Sequence, residues 1–330
     1  MTAPLETTGK PEAPPEGTSN GAGKKAIEGR SLRQIAWFRL KRDRVALAGG
    51  LVVVFLILVA IFAPLIVDLL GHPPNQPNKD QVQDIGPPIG SLGGVSWDFL
   101  LGVEPVSGRD VFSRVVYGAQ VSLLIAFLAT LLSVLIGTVM GVIAGYFGGW
   151  VDAVISRVMD AFLAFPLLLF ALALVGAMPD SFLGLSGYWL RVAIIVFIIG
   201  FFNWPYIGRI VRGQTLSLRE REFVDAARSL GARPPYILAK ELLPNLAAPI
   251  LVYSTLLIPT NILFEAALSF LGVGVPAPTA TWGGMLDTAV DWYKADPWFM
   301  FPPGLAIFIT VLAFNLFGDG LRDALDPRGR

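Results

Sequence analysis

The feature that most constrains this 330-residue chain is a set of long apolar runs that carry almost no charge. A helix needs roughly 20 mostly apolar residues to cross the hydrocarbon core of a bilayer. Charged residues make up 15% of the chain, whereas soluble domains average about 25%. Taken singly, several runs would also suit buried helices of a soluble protein, but six in one chain would not. The sequence therefore predicts an all-α integral membrane protein with six transmembrane helices, at 45–67, 119–144, 161–179, 192–208, 246–271 and 303–318.

The basic residues are distributed unevenly between the two sides of this predicted topology. Lysine and arginine near membrane ends are enriched on the cytoplasmic side. With the N-terminus inside, 20 of the 25 basic residues lie on one side and 5 on the other. We therefore expect both termini to be cytoplasmic, residues 69–114 to form a long external segment, and residues 209–245 to form a cytoplasmic loop.

The region before the first apolar run has two parts. Residues 1–30 are rich in Pro, Gly, Thr, Glu and Lys with almost no large apolar side chains, which predicts a disordered cytoplasmic tail. Residues 31–44 interleave apolar with basic side chains. They suit an amphipathic helix lying on the inner membrane surface, and equally a plain basic flank of the first span. Residues 45–330 then form the transmembrane domain.

Composition also excludes several kinds of chemistry. The chain has no cysteine and one histidine, His72, so sites built on several such residues are not expected. Gly17–Lys25 is not a phosphate-binding loop, because Thr18 stands where that pattern requires glycine. The formal net charge of zero argues against a nucleic-acid partner. We expect no catalytic residues, no metal and no cofactor in this chain.

The loop at 209–245 has a helical pattern of its own. Phe223, Ala226, Ala227 and Leu230 recur at the spacing of one helix face among charged residues, and Gly231 ends the pattern. A short helix with a small-residue face suits close docking into a groove on a partner. On spacing alone, an inert surface loop explains the pattern equally well.

At this loop the sequence resembles a known family. The segment EFVDAARSLG at 222–231, followed by Leu243 and Pro244, is similar to the EAA loop of ABC importer permeases. In that family the loop forms the helix that couples the permease to an ATP-binding subunit. Asp225 here replaces the usual Glu, and Glu241 stands where Ile is common. The resemblance implies a coupling role for Glu222, Asp225, Ala226, Ala227, Gly231, Leu243 and Pro244.

Other segments resemble the dipeptide, oligopeptide and nickel branch of the same family. The similar stretches are Leu101-Gly102, 108–114, Tyr117-Gly118, 265–272, Trp282-Gly283 and 315–327. Together they imply the type I importer architecture and the second of two paired permeases, the type with a basic N-terminal flank.

The resemblance also implies a setting for the chain. It implies a prokaryotic inner membrane and a substrate class of peptides, with nickel complexes or oligosaccharides as alternatives. The implied partners are a second permease, ATP-binding subunits that carry ATP and Mg, an extracytoplasmic substrate-binding protein and the lipid bilayer.

Polar residues within the predicted spans are candidates for the translocation path, because burying them in a membrane is costly. Glu265, Asn203 and Asn261 are the candidates, and each could instead make a structural hydrogen bond between helices. Asp160 and Arg157 are better read as an ordinary intrahelical pair. From the residues alone, an ion-coupled transporter and an intramembrane enzyme remain the competing functions.

The outer segments 69–114 and 272–300 are rich in aromatic residues. Such residues among polar neighbours suit a protein interface, here with the binding protein. Anchoring at the membrane interface explains the Trp and Tyr residues nearly as well. The aromatic residues concerned are Trp97, Phe99, Trp282, Trp292, Tyr293 and Trp298.

Overall fold

The computed structural model describes residues 37–84, 86–179, 181–182 and 184–325. The predicted tail at 1–30 lies outside this part, as do residues 31–36 of the predicted interfacial helix. In the described part, five helices are long and apolar enough to cross a membrane. They are α1 (Arg44–Ile61), α3 (Val111–Phe147), α6 (Gly187–Leu218), α8 (Pro234–Phe270) and α10 (Phe301–Leu325).

The remaining predicted span, at 161–179, is broken. Helices α4 (Gly149–Ala164) and α5 (Leu167–Ala177) meet at 80°. Phe165 adopts an extended conformation because a residue that precedes proline, here Pro166, disfavours helical geometry. The prediction of one uninterrupted helix was therefore wrong at this position. Counted as one span, the pair brings the total to six, as predicted.

Shorter elements join the spans. These are α2 (Ala63–Leu70), α7 (Glu222–Ser229), α9 (Trp282–Trp292), 3₁₀ turns at Lys79–Gln81 and Pro297–Met300, and an antiparallel pair of two-residue strands, β1 (Ser181–Phe182) and β2 (Leu185–Ser186). Helix α8 contains a π-helical segment, Ile237–Leu242, and continues through Pro249 and Pro259. The long helices extend beyond the apolar runs, so the predicted loop at 209–245 shortens to 219–233.

The bundle has two distinct ends. Asp43 caps α1 by accepting hydrogen bonds from the amides of Val45 and Ala46 at 2.9 and 3.0 Å. Leu40 and Ala46 share a core cluster with Ala324, near the end of α10. Both ends of the described chain therefore lie at one end of the bundle, which we call the terminal end. The segments 71–110 and 271–300 lie at the other, the cap end.

Helices α3 and α6 form the central packing of the bundle. Gly137, Gly141 and Gly145 recur every four residues on α3 and face α6, where a side chain at Gly141 would meet the carbonyl oxygen of Gly208 at 2.6 Å. Ser133 donates to the carbonyl of Gly200 at 2.8 Å. In lipid, helices associate through such close packing because lipid tails are as apolar as the side chains.

Candidate functional site

Helix α7 projects at the terminal end and is held from one side by the bundle. Val224 is fully buried and packs in a cluster with Ile237, Leu242 and Leu246. These three residues belong to the π-helical start of α8 and the turn that follows it. The short helix is therefore seated on α8.

The outer face of α7 is apolar and open. Phe223, Ala226 and Leu230 are exposed, Leu230 to 88%, and their spacing places them on one face of the helix. Ala227, which the sequence grouped with them, is half-buried against the Val224 cluster. Ala227 therefore supports the helix from beneath, and the open face consists of the other three residues.

Electrostatic contacts link α7, and the turn that precedes it, to the end of α3. Asp225 pairs with Arg228 at 3.2 Å, and the Arg228 guanidinium lies 5.4 Å from the ring centre of Tyr146. Arg219 donates to the carbonyl of Gly145 at 3.1 Å. The seat of α7 is thus shared between α3 and α8.

The other residues of the predicted coupling set lie around this helix. Glu222 is exposed in its first turn, where a carboxylate complements the helix dipole. Gly231 follows with φ 81°, the left-handed conformation that glycine adopts at little cost. Leu243 and Pro244 are exposed directly after the π-helical segment that supports α7.

Two ion pairs join the first half of the broken span to α6. Arg212 makes a two-point contact with Asp152, with Nη2 at 2.6 Å from Oδ2. Arg209 lies 2.5 Å from Asp160. The predicted pair between Asp160 and Arg157 was wrong, because the partner lies on another helix, 49 residues away.

The polar residues proposed for the translocation path lie within the bundle. Asn203 donates to Asn261 at 2.8 Å, and Asn261 donates to the Thr130 hydroxyl at 2.8 Å. All three side chains are buried. This series of hydrogen bonds joins α6, α8 and α3, which is the alternative role of a structural hydrogen bond between helices. A path role for Asn203 and Asn261 stays a prediction.

Glu265 is fully buried near the cap end of α8. It accepts a hydrogen bond from the Ser269 hydroxyl at 2.8 Å, while its other oxygen, Oε2, has no partner among the described residues. Gly283, just inside α9, packs so closely on this turn of α8 that a side chain there would lie 2.8 Å from Ser269 Cβ. Glu265 is thus closed off in this conformation, and its path role also stays a prediction.

The cap end is an ordered layer of loops. Glu104 is buried and contacts Arg109 at 2.5 Å and Arg114 at 3.6 Å. Arg114 also donates to the carbonyls of Pro74 and Pro278, at 3.3 and 3.1 Å. One buried arginine of α3 therefore ties both outer segments together.

The aromatic residues of the cap have different environments. Phe99 and Trp282 are buried, and Trp282 donates to the carbonyl of Val115 at 3.0 Å. Trp97 is 96% exposed and Tyr293 is also exposed. The aromatic set predicted as one interface is therefore partly core and partly surface.

A cavity of about 640 Å³ opens beside the cap, between α1, α3 and the start of α6. Its polar and aromatic lining consists of Tyr117, Gln120, Phe127, Tyr188, Trp189 and Thr279. In the described part of the chain, no group of acidic residues and His72 could hold a metal ion.

Comparisons with known proteins agree on one family. Residues 137–330 match the family described as binding-protein-dependent transport system inner membrane component. Residues 31–88 match the N-terminal transmembrane domain of oligopeptide transport permease C.

Individual relatives cover most of the chain. It is 40% identical over 293 residues to the dipeptide transport system permease protein DppC of Alkalihalophilus pseudofirmus, which is 89% of each chain. It is also 40% identical over 292 residues to the glutathione transport system permease protein GsiD of Shigella dysenteriae serotype 1, or 88% of this chain and 89% of the relative. GsiD of Escherichia coli O6:K15:H31 matches with the same identity and coverage.

Proposed function

We propose that this chain carries peptides across a prokaryotic inner membrane. The premise is that the chain belongs to the family of binding-protein-dependent transport system inner membrane components. The chain is a membrane permease subunit of an ABC importer and not itself an enzyme. Family membership therefore sets aside the ion-coupled transporter and the intramembrane enzyme. The dipeptide and glutathione relatives, at 40% identity, support peptides over nickel complexes and oligosaccharides.

The proposed assembly has the terminal end in the cytoplasm. There α7 couples to ATP-binding subunits, which hold ATP and Mg. A second permease completes the translocation path, to which Glu265, Asn203 and Asn261 are proposed to contribute. An extracytoplasmic binding protein delivers substrate to the cap end. The excess of basic residues at the terminal end supports this orientation.

The observation that carries the coupling proposal is the two-sided environment of α7. Its inner face is fixed by Val224, whereas its outer face presents Phe223, Ala226 and Leu230 to solvent. An open apolar face on a helix whose other side is packed against its own chain is suited to fill a groove on another protein.

Two truncations to alanine, one on this helix and one at its C-terminal cap, separate coupling from folding. Leu230→Ala should weaken association with the ATP-binding subunits by about 2 kcal/mol, or roughly 30-fold, if the groove buries the lost methylenes. The stability of the isolated permease should not change, because Leu230 is exposed there. Val224→Ala, the matched variant, should instead lower the stability of the permease by about 1–3 kcal/mol.

Both variants are reconstituted in nanodiscs, and ATPase association and coupled uptake are measured at equal permease levels. Wild-type association for Leu230→Ala would contradict the coupling role of the open face. Uptake of a labelled dipeptide in competition with glutathione, nickel complexes and oligosaccharides tests the substrate class.

Orientation has its own test, because the chain has no cysteine. Asp80 is exposed at the cap end, so Asp80→Cys should react with an impermeant thiol reagent added from outside. Labelling solely from the cytoplasmic side would overturn the proposed topology.

A further inference from the structure

A small pocket of about 220 Å³ lies in the cap, between the loop at 88–93 and the segment at 295–301. Sites for whole small molecules usually measure about 300–1,000 Å³. This pocket is therefore of a size for one side chain rather than for a peptide. Asp296 is the one charged residue among those that line it, and the others are glycine, proline, aliphatic or aromatic residues.

Asp296 is a buried carboxylate without a counter-ion. It is 5% exposed, and its Oδ2 atom accepts no hydrogen bond from the described part of the chain. Among the same residues, no basic side chain lies within 4 Å of it. The carboxyl group lies against Gly93, where a side chain would meet Oδ2 at 3.2 Å.

This isolation has an energetic consequence. Burial raises the pKa of the Asp296 carboxyl, while the backbone N–H groups of Trp298 and Phe299 act in the opposite direction. An unpaired buried charge is unfavourable, and a well-placed opposite charge relieves much of that cost. Asp296 is thus a residue whose environment becomes favourable when a cation enters the pocket.

The walls of the pocket suit an organic cation. Trp298 and Phe301 both line it, with ring centres 6.0 Å apart. Trp298 donates from its indole nitrogen to the carbonyl of Leu101 at 3.1 Å, which fixes the ring. Ammonium and guanidinium groups are attracted to aromatic faces as well as to carboxylates, and here both lie in one cleft.

The rim of the pocket is exposed and apolar. Phe301 is 63% exposed and Leu92 is 59% exposed, and both line the pocket. A polar anchor surrounded by exposed apolar residues resembles the centre of a protein interface, where a few desolvated anchors dominate affinity. A site for a free metal ion would not need such a rim.

We infer that this pocket receives a lysine or arginine side chain of the extracytoplasmic binding protein and anchors that protein on the cap. The inference rests on the proposed function, because it needs the cap to face outward and a binding protein to dock there. The complementary charge identifies the partner residue as basic. Anionic lipid headgroups would be repelled by the same carboxylate.

The test compares Asp296→Asn with Asp291→Asn in the complete importer reconstituted in nanodiscs. Asp291 is an exposed acid on α9, so the control makes the same change in charge without touching the pocket. The probe is the binding protein of this importer, titrated against ATPase stimulation. We expect Asp296→Asn to raise the half-maximal concentration at least roughly tenfold, with basal ATPase activity unchanged and Asp291→Asn close to wild type.

Stability separates an anchoring role from a structural one. Because no basic side chain pairs with the buried Asp296 carboxylate, and asparagine keeps an oxygen acceptor for the backbone N–H groups of Trp298 and Phe299, Asp296→Asn should leave the melting temperature of the subunit unchanged or raise it. A residue needed for folding would lower it. If Asp296→Asn fails to assemble, Phe301→Leu carries the test, since it keeps an apolar rim but removes the aromatic wall, and it should raise the half-maximal concentration roughly threefold.

Three results would overturn the inference. One is wild-type stimulation of Asp296→Asn by the binding protein. Another is a melting temperature lowered together with basal activity. The third is an effect confined to peptides with a free N-terminal ammonium at unchanged binding-protein affinity, which would make the pocket a substrate site. If the binding protein does not stimulate even the wild-type importer, the proposed function fails before the pocket is tested.

Discussion

The close approach of α3 to α6 makes a sharp prediction about Gly141. A methyl group there would lie 2.6 Å from the Gly208 carbonyl oxygen, 2.8 Å from Val211 Cβ and 3.0 Å from the Arg212 nitrogen. Favourable contacts between heavy atoms require about 3.5 Å or more. Gly141→Ala therefore forces the two helices apart by about 1 Å at this point.

The free energy lost by separating the helices opposes the gain in helix stability that a Gly→Ala change usually brings. Overpacking of a tight interior costs about 1–3 kcal/mol, whereas Gly→Ala inside an unobstructed helix gains up to about 1 kcal/mol. Gly213 on α6 is the matched control, because a side chain there would meet nothing within 4 Å. We expect Gly141→Ala to destabilise the subunit by about 1–3 kcal/mol and Gly213→Ala to be neutral or stabilising.

The stability of both variants is measured on the purified subunit in mixed micelles. SDS drives the unfolding, and circular dichroism follows it. Equal stability of the two alanine variants would refute the reasoning, because it would mean that α3 and α6 are not held at this distance. A loss in Gly213→Ala as large as that in Gly141→Ala would refute it equally.

Two further predictions concern the buried polar residues. Asn261→Ala should destabilise the subunit by about 1–3 kcal/mol, because it removes two buried hydrogen bonds and leaves the Asn203 amide without its acceptor. The same unfolding assay measures this, and a loss below about 0.5 kcal/mol would contradict the bridge. Glu265→Gln should keep normal membrane levels, because glutamine retains an oxygen acceptor for the Ser269 hydroxyl. It should lower uptake, because it removes the carboxylate from the proposed translocation path. Wild-type uptake at normal membrane levels would contradict the path role of Glu265.

Local sequence properties determined much of this protein. Long apolar runs with almost no charge predicted five of the six spans as continuous helices, because a segment that crosses lipid must be apolar over most of its length. The helix at Glu222–Ser229 and its end at Gly231 were visible in the same way, since periodicity and a glycine after it are local signals. Pro166 is also a local signal for the break between α4 and α5, although the apolar run around it predicted a continuous helix.

The tertiary structure determined which side chains pair between helices and which helix faces are covered. Asp160 pairs with Arg209 and not with Arg157, which lies three residues away along the chain, because α4 packs beside α6. Ala227 lies inward because α7 is seated on α8, and periodicity alone cannot say which part of a face is covered. The pocket at Asp296 exists because the cap brings residues about 200 positions apart into contact. Spacing along the chain constrains neighbours within one helix, whereas contacts between helices depend on how the whole bundle packs.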